Sequence, residues 1–176
     1  MNDMVLSPFS MTHSTLSTPL PDIKLNEIAF GYNHHNLQLP GGYNIMPELS
    51  AASLWTTPSD LALFGIEIMK ALKGESVALK KDTADIMTTL VYENSSYGIG
   101  FMINQSKKGM TFEHGGSNFG YHSHMCFCPS DGSGMVIMQN SDIGANIRAE
   151  VTSAYYLQYN QSLGSYIFAN PQSHLL

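Results

Sequence analysis

The sequence predicts an α+β fold in which an antiparallel sheet packs against helices. Three observations carry that expectation. From Tyr97 to Gln139 the hydrophobic period is two, in runs joined by short turns. Ahead of these runs, Thr57 to Gly74 holds a full set of helix start and stop signals around a period near 3.6. Behind them, Asp142–Tyr159 returns to the helical period, with Ile147, Val151, Ala154, Tyr155 and Gln158 on one stripe.

Taken in order, Met1–Ser7 reads as a short apolar piece halted by Pro8, with little before it to explain its apolarity. Met11–Gly42 is rich in Pro, Asn, His and Gly and is expected to be irregular, with a short strand at Ile28–Tyr32. His34 and His35 lie in this polar stretch. Without Cys, Asp or Glu at ligand spacing they read as a solvated loop. The first helix starts where Thr57 caps exposed amides, Pro58 occupies the first helical position and Asp60 faces the positive end of the dipole. Leu61, Phe64, Ile68 and Leu72 recur on one side with Met69 and Ala71 alongside, and Gly74 supplies the stop. A second helix is expected from Val77 to about Leu90, with Leu79, Ile86, Met87 and Leu90 inward.

The strand candidates are Tyr97–Asn104, Met110–Glu113, Tyr121–Cys128 and Gly134–Gln139, with hairpin chemistry at Gln105–Gly109 and Pro129–Gly134. Their core is expected to be three antiparallel strands, Met110–Ser117, Tyr121–Cys128 and Gly134–Asn140, with the Asp142–Tyr159 helix capped by Asp142 and packed on them. Residues 1–160 form the expected domain, and residues 161–176 a tail without clear period.

Composition narrows the function. A chain of 176 residues suits one medium domain, and 43% hydrophobic with 12% charged residues is ordinary globular chemistry. A net charge of -6 argues against nucleic acid, which needs clustered Lys and Arg. No apolar run approaches the roughly 20 residues of a membrane span, and no secretion signal is visible. The compartment stays open, because Cys126 and Cys128 lie two apart in a strand pattern, near or beyond bridging distance. The eleven methionines read as flexible core fillers.

Chemistry concentrates at His114-Gly115-Gly116-Ser117-Asn118-Phe119-Gly120-Tyr121. Glycines between strand runs mark a bulge or a close approach to the backbone, and histidine titrates near neutral pH. Such a stretch suits a strand edge lining a reaction groove, or equally a Gly-rich hairpin corner. His122, His124, Cys126 and Cys128 alternate onto one strand face, but together they span about 20 Å, too far for one tetrahedral ion. A buried or half-buried sheet face is the alternative, and no metal or cofactor is expected.

Several segments together resemble the serine β-lactamase-like hydrolases, the family of class C β-lactamases, DD-peptidases and related esterases and amide hydrolases. Pro47–Ala62 resembles one of its segments, and Tyr97-Gly98-Ile99-Gly100-Phe101 its aromatic–Gly–x–Gly–aromatic strand. His114-Gly115-Gly116 matches the His-x-Gly form of its third motif, and Met135–Asp142 resembles its last strand and the approach to its C-terminal helix. The resemblance implies a partial transpeptidase-like fold. It also implies site roles for His114, Gly116 and Ser117: His114 orients substrate in the groove, and the Ser117 backbone N–H is a candidate oxyanion donor.

Two departures qualify it. The family's nucleophile is the Ser of Ser-x-x-Lys, and no Ser here has Lys three residues on. Tyr92-Glu93-Asn94, only 22 residues before His114 (114 − 92), reads as a chance match to the family's Tyr-x-Asn motif. The chain is therefore expected to be the C-terminal half of such an enzyme, inactive alone. Its intact relative would acylate on serine and take a small-molecule or peptide substrate. The alternatives are a non-catalytic binding module that keeps the groove and, third, a metal protein built on the His/Cys strand. In the resembled fold N-terminal strands pair beside the final strand, so this edge is expected to drive self-association.

Overall fold

The computed structural model, which describes residues 1–106 and 108–158, contains one antiparallel sheet of four strands in the order β1-β2-β3-β4. They are β1 (Met102–Ser106), β2 (Gly109–Asn118), β3 (Tyr121–Cys128) and β4 (Ser133–Gln139). The three expected strands are present, and β1 extends the sheet on one side. The structure moves the first strand later than the pattern Tyr97–Asn104 suggests. Gly100 sits at φ +84°, a left-handed turn open to glycine, and Tyr97 folds back onto Met102 as an isolated bridge.

Strand alternation then sorts the side chains onto two unlike faces. Ile103, Phe112, Met125, Phe127 and Val136 lie on one face and form the main core with Ile68 and Met69. Those two belong to α2 (Pro58–Lys73), which follows a short turn of helix, α1 (Leu49–Ala52). Phe112 stacks on Phe127 with centroids 5.5 Å apart, and Phe101 closes on Phe112 at 5.0 Å. Gly65 lets the helix come this near, since a Cβ there would stand 2.1 Å from the Phe127 ring.

The end signals of α2 work as the residues suggest. The Thr57 hydroxyl accepts the Asp60 N–H at 3.1 Å, Pro58 opens the helix, and Gly74 at φ +76° ends it. Asp60 does more than face the dipole. It is buried, and its carboxylate accepts the His13 N–H and the Ser14 hydroxyl, both at 2.7 Å, which ties the N-terminal segment to the helix. That segment also supplies Leu6, Phe9 and Met11 to the core, so the apolarity of the first residues is used within the chain.

Other expectations need correction. Ile28–Tyr32 is not a strand; only Tyr32 makes isolated bridges, to Gln38 and Ser141. The second helix, α3, covers Lys81–Thr88 instead of Val77–Leu90. The Ser76 hydroxyl accepts the N–H groups of Ala78 and Leu79, holding a local turn that delays the helix. Its inner face is Ala84 and Thr88, with Leu79 and Met87 packed beside the core, whereas Ile86 and Leu90 are exposed.

The C-terminal helix, α4 (Ala145–Gln158), begins after a 3₁₀ turn at Asp142–Gly144. Asp142 lies in that turn, three residues before α4 begins, and its Oδ1 is engaged across the β2–β3 hairpin. The helix is also turned relative to the expected stripe. Ile147, Val151 and Ala154 are exposed, and Tyr156 is the buried residue. The physical reason lies beneath it. The Tyr156 hydroxyl donates to the buried Glu113 carboxylate, so this sheet face asks for a hydroxyl rather than an aliphatic stripe. The expected end of the helix at Tyr159 and the tail at 161–176 lie outside the described residues.

Candidate functional site

The His-Gly-Gly-Ser stretch lies inside β2, where that strand outruns its neighbour. Pairing with β1 ends at Met102↔Glu113, while pairing with β3 continues to Asn118↔Tyr121. Among the described residues His114–Asn118 therefore pairs with a strand on one side only, and His114, Gly115, Gly116 and Ser117 are all exposed. Gly116 stands where a Cβ would come 2.7 Å from the Ser123 hydroxyl, so glycine keeps the β2–β3 surface shallow there.

Placement within a regular strand also divides the site residues. His114 and Gly116 share the face of Phe112, and Ser117 shares the opposite face with Glu113. The His114 and Ser117 side chains, which flank the glycine pair, thus lie on opposite faces of the sheet. A backbone donor at Ser117 does not depend on that face, because main-chain amides point along the sheet edge.

The end of the β2–β3 hairpin is held by the segment that looked irregular in the sequence. Asn44 Nδ2 donates to the Phe119 carbonyl at 3.2 Å, and Asn118 Nδ2 to the Ala52 carbonyl at 3.1 Å. The Tyr121 hydroxyl reaches the carbonyls of Ala29 at 2.9 Å and Gly42 at 3.1 Å. Burial pushes the Tyr121 phenol up to about 12, so it remains a neutral donor. Trp55 meets Tyr121 edge to face at 5.5 Å and Tyr43 at the same distance. Asn140 Nδ2 donates to the Phe30 carbonyl at 2.8 Å. These side-chain contacts to distant carbonyls have no local period, which is why pattern reading missed them.

The alternating His/Cys set on β3 goes to separate partners. His122 Nδ1 lies 2.9 Å from Ser117 Oγ, and its Nε2 lies 3.0 Å from Asp142 Oδ1. His124 Nε2 stands 3.5 Å from Glu113 Oε2. Cys126 and Cys128 are both fully buried free thiols, and Cys128 Sγ is 3.1 Å from Ser130 Oγ. Burial, reinforced by the nearby Glu113 charge, holds the Cys126 thiol far above the ordinary range. A thiol-disulfide dye should therefore find close to none of the two thiols in the folded chain and both after denaturation. Fast reaction of Cys126 in the folded chain would contradict this packing.

Tyr92 of Tyr92-Glu93-Asn94 is exposed in the connection between α3 and β1. His34 and His35 are exposed side by side, with ring centroids 3.9 Å apart.

The same fold occurs in solved proteins. It is similar to that of a mutant class C β-lactamase at a TM-score of 0.71 and 19% identity, over 89% of this chain and 50% of that one. It is similar to the octameric penicillin-binding protein homologue from Pyrococcus abyssi at 0.67 and 20%, over 90% and 37%. A D-alanine carboxypeptidase from Burkholderia cenocepacia gives 0.70 and 16%, over 89% and 53%. The chain thus spans about half the length, or less, of these solved structures. Such low identities establish the shared fold and leave substrate undecided. No curated protein matches the chain by sequence. The family model described as Beta-lactamase matches residues 1–158, nearly all of the chain. The chain belongs to the β-lactamase family.

Proposed function

We propose that this chain is the C-terminal part of a β-lactamase-related serine hydrolase and provides one wall of its acyl-transfer groove. The observation that supports this most directly is the His114–Asn118 segment, an exposed strand edge left uncovered where β1 ends. On this reading the Ser117 backbone N–H is an oxyanion donor, and His114, on the Gly116 face, orients the bound acyl group. Gly116 keeps the strand surface clear for it. The family's acylating serine is not among these residues, because no Ser-x-x-Lys occurs in the sequence. Acyl transfer needs an activated nucleophile as well as a donor to the oxyanion. The intact enzyme would act on an amide, β-lactam or ester.

Sequencing the coding region upstream of the Met1 codon tests this reading. An in-frame Ser-x-x-Lys is the expected result. An upstream region without it would replace the hydrolase with a binding module that keeps the groove and not the chemistry.

A further inference from the structure

Ser117, His122 and Asp142 form a continuous hydrogen-bonded chain on the sheet face opposite His114. Ser117 Oγ lies 2.9 Å from His122 Nδ1, and His122 Nε2 lies 3.0 Å from Asp142 Oδ1. The carboxylate can only accept, so in the neutral imidazole the ring proton sits on Nε2. Nδ1 is then the bare nitrogen, and the Ser117 hydroxyl must donate to it. This is the hydrogen-bond order of a nucleophile, a base and an orienting acid, with the two ring nitrogens exchanged relative to the usual serine protease arrangement.

The surroundings fix each member. Ser117 and His122 are directly opposed partners of β2 and β3, so the hairpin sets their separation. Asp142 is held from a third element, since its Oδ1 also accepts the Gly120 N–H at 2.8 Å. The His122 and Asp142 side chains are 13% and 16% exposed, whereas Ser117 is open to solvent. The base and acid are sheltered and the hydroxyl is reachable. A second grouping of the same residue types, His13, Ser14 and Asp60, shows the contrast. There Ser14 bonds the carboxylate directly, and the mostly exposed histidine lies 3.2 Å from the Thr12 hydroxyl instead, so no sheltered base stands between Ser14 and the acid.

We propose that this relay makes Ser117 a nucleophile toward small uncharged esters with good leaving groups, separately from the groove assigned above. In the first step Ser117 Oγ attacks the ester carbonyl carbon and passes its proton to His122 Nδ1. The bond to the leaving alkoxide or phenoxide breaks, and that group takes the proton from the imidazolium. Water then attacks the acyl-serine, His122 takes a proton from it, and the Ser117 oxygen leaves with that proton as the acid is released. Ser117 and His122 are the catalytic residues, and Asp142 is a positioning residue that holds the ring tautomer. The hydroxyl faces solvent rather than an enclosed cavity, so slow turnover of small activated substrates is the matching chemistry.

The test uses the full chain with p-nitrophenyl acetate, read by phenol release and by peptide mapping of the acetyl group. The expected result is one acetyl on Ser117, absent in Ser117→Ala and formed about 10²-fold more slowly in His122→Gln. Asp142→Asn keeps an oxygen for the Gly120 N–H, so the melting midpoint should hold. Its acetylation should slow through loss of the negative charge, while nitrogen NMR should show the His122 Nε2–H tautomer kept in Asp142→Asn, whose amide oxygen can accept both bonds, and lost in Asp142→Ala. Acetyl groups confined to lysines, or labelling of Ser117 that is unchanged in His122→Gln, would overturn the relay. Neither result bears on the upstream Ser-x-x-Lys, so failure here leaves the hydrolase reading to its own test.

Discussion

Glu113→Ala should lower the stability of the chain by about 3–5 kcal/mol, the cost of dismantling a buried charged network. Glu113 is fully buried in β2, beneath α4. Its Oε1 accepts Asn104 Nδ2 at 2.7 Å, its Oε2 accepts the Tyr156 hydroxyl, and His124 lies at 3.5 Å. Removing the carboxylate strands those donors in a closed site and frees α4 from its main polar anchor. For a chain of this size, about 2–4 °C per kcal/mol converts the loss to a fall in melting midpoint on the order of 10 °C. Tyr156→Phe should produce a smaller fall of the same kind, about 2 kcal/mol, because it removes one hydrogen bond to a charged acceptor. Thermal unfolding followed by circular dichroism checks both. A Glu113→Ala chain as stable as the parent would mean that α4 is held by something other than this network.

The isolated chain should self-associate at micromolar concentration through β4. That strand sits at the edge of the sheet, paired with β3 alone among the described strands, and runs Ser-Gly-Met-Val-Ile-Met-Gln without a charge or a proline. Unblunted apolar edges recruit further strands. Sedimentation should show species of at least twice the 19.3 kDa chain mass. The position of a corrective lysine follows from the packing. Val136 packs against the core, so Val136→Lys would unfold the chain rather than solubilise it. Met138, half-buried and outside that cluster, is the better position, and Met138→Lys should shift the distribution toward monomer. A parent chain that sediments as a stable monomer with a cooperative melt would show that the edge is already covered.

Much of the fold is legible in the sequence because it rests on local chemistry. The Thr57–Pro58–Asp60 start and Gly74 stop of α2 act within one helical turn, and the period of two in β2, β3 and β4 follows from a face that must meet α2. What escapes the sequence depends on long-range partners. The stripe of α4 differs from its periodicity because the helix packs on a polar sheet face, where Tyr156 answers Glu113 from 43 residues away. Asp142 looks like a helix cap by position, yet it sits three residues before α4 with its Oδ1 engaged across the hairpin. The His114–Ser117 stretch stands out by its residue types. Its division between two sheet faces is visible only once β2 is known to continue unbroken through the glycines. The polar segment before α1 gives no sign that it frames the hairpin. Its bonds there, Asn44 to the Phe119 carbonyl and the Ala29 and Gly42 carbonyls to Tyr121, carry no periodic signal.

The central claim is that this chain carries a wall of a β-lactamase-family groove without the family's acylating serine. Intact-mass measurement of the folded chain after incubation with a labelled penicillin tests it most directly. The account predicts an unchanged mass, because the Ser117 relay faces away from the groove and no serine here has the paired lysine. A stoichiometric penicilloyl adduct on one serine, lost when that serine is changed to alanine, would contradict it.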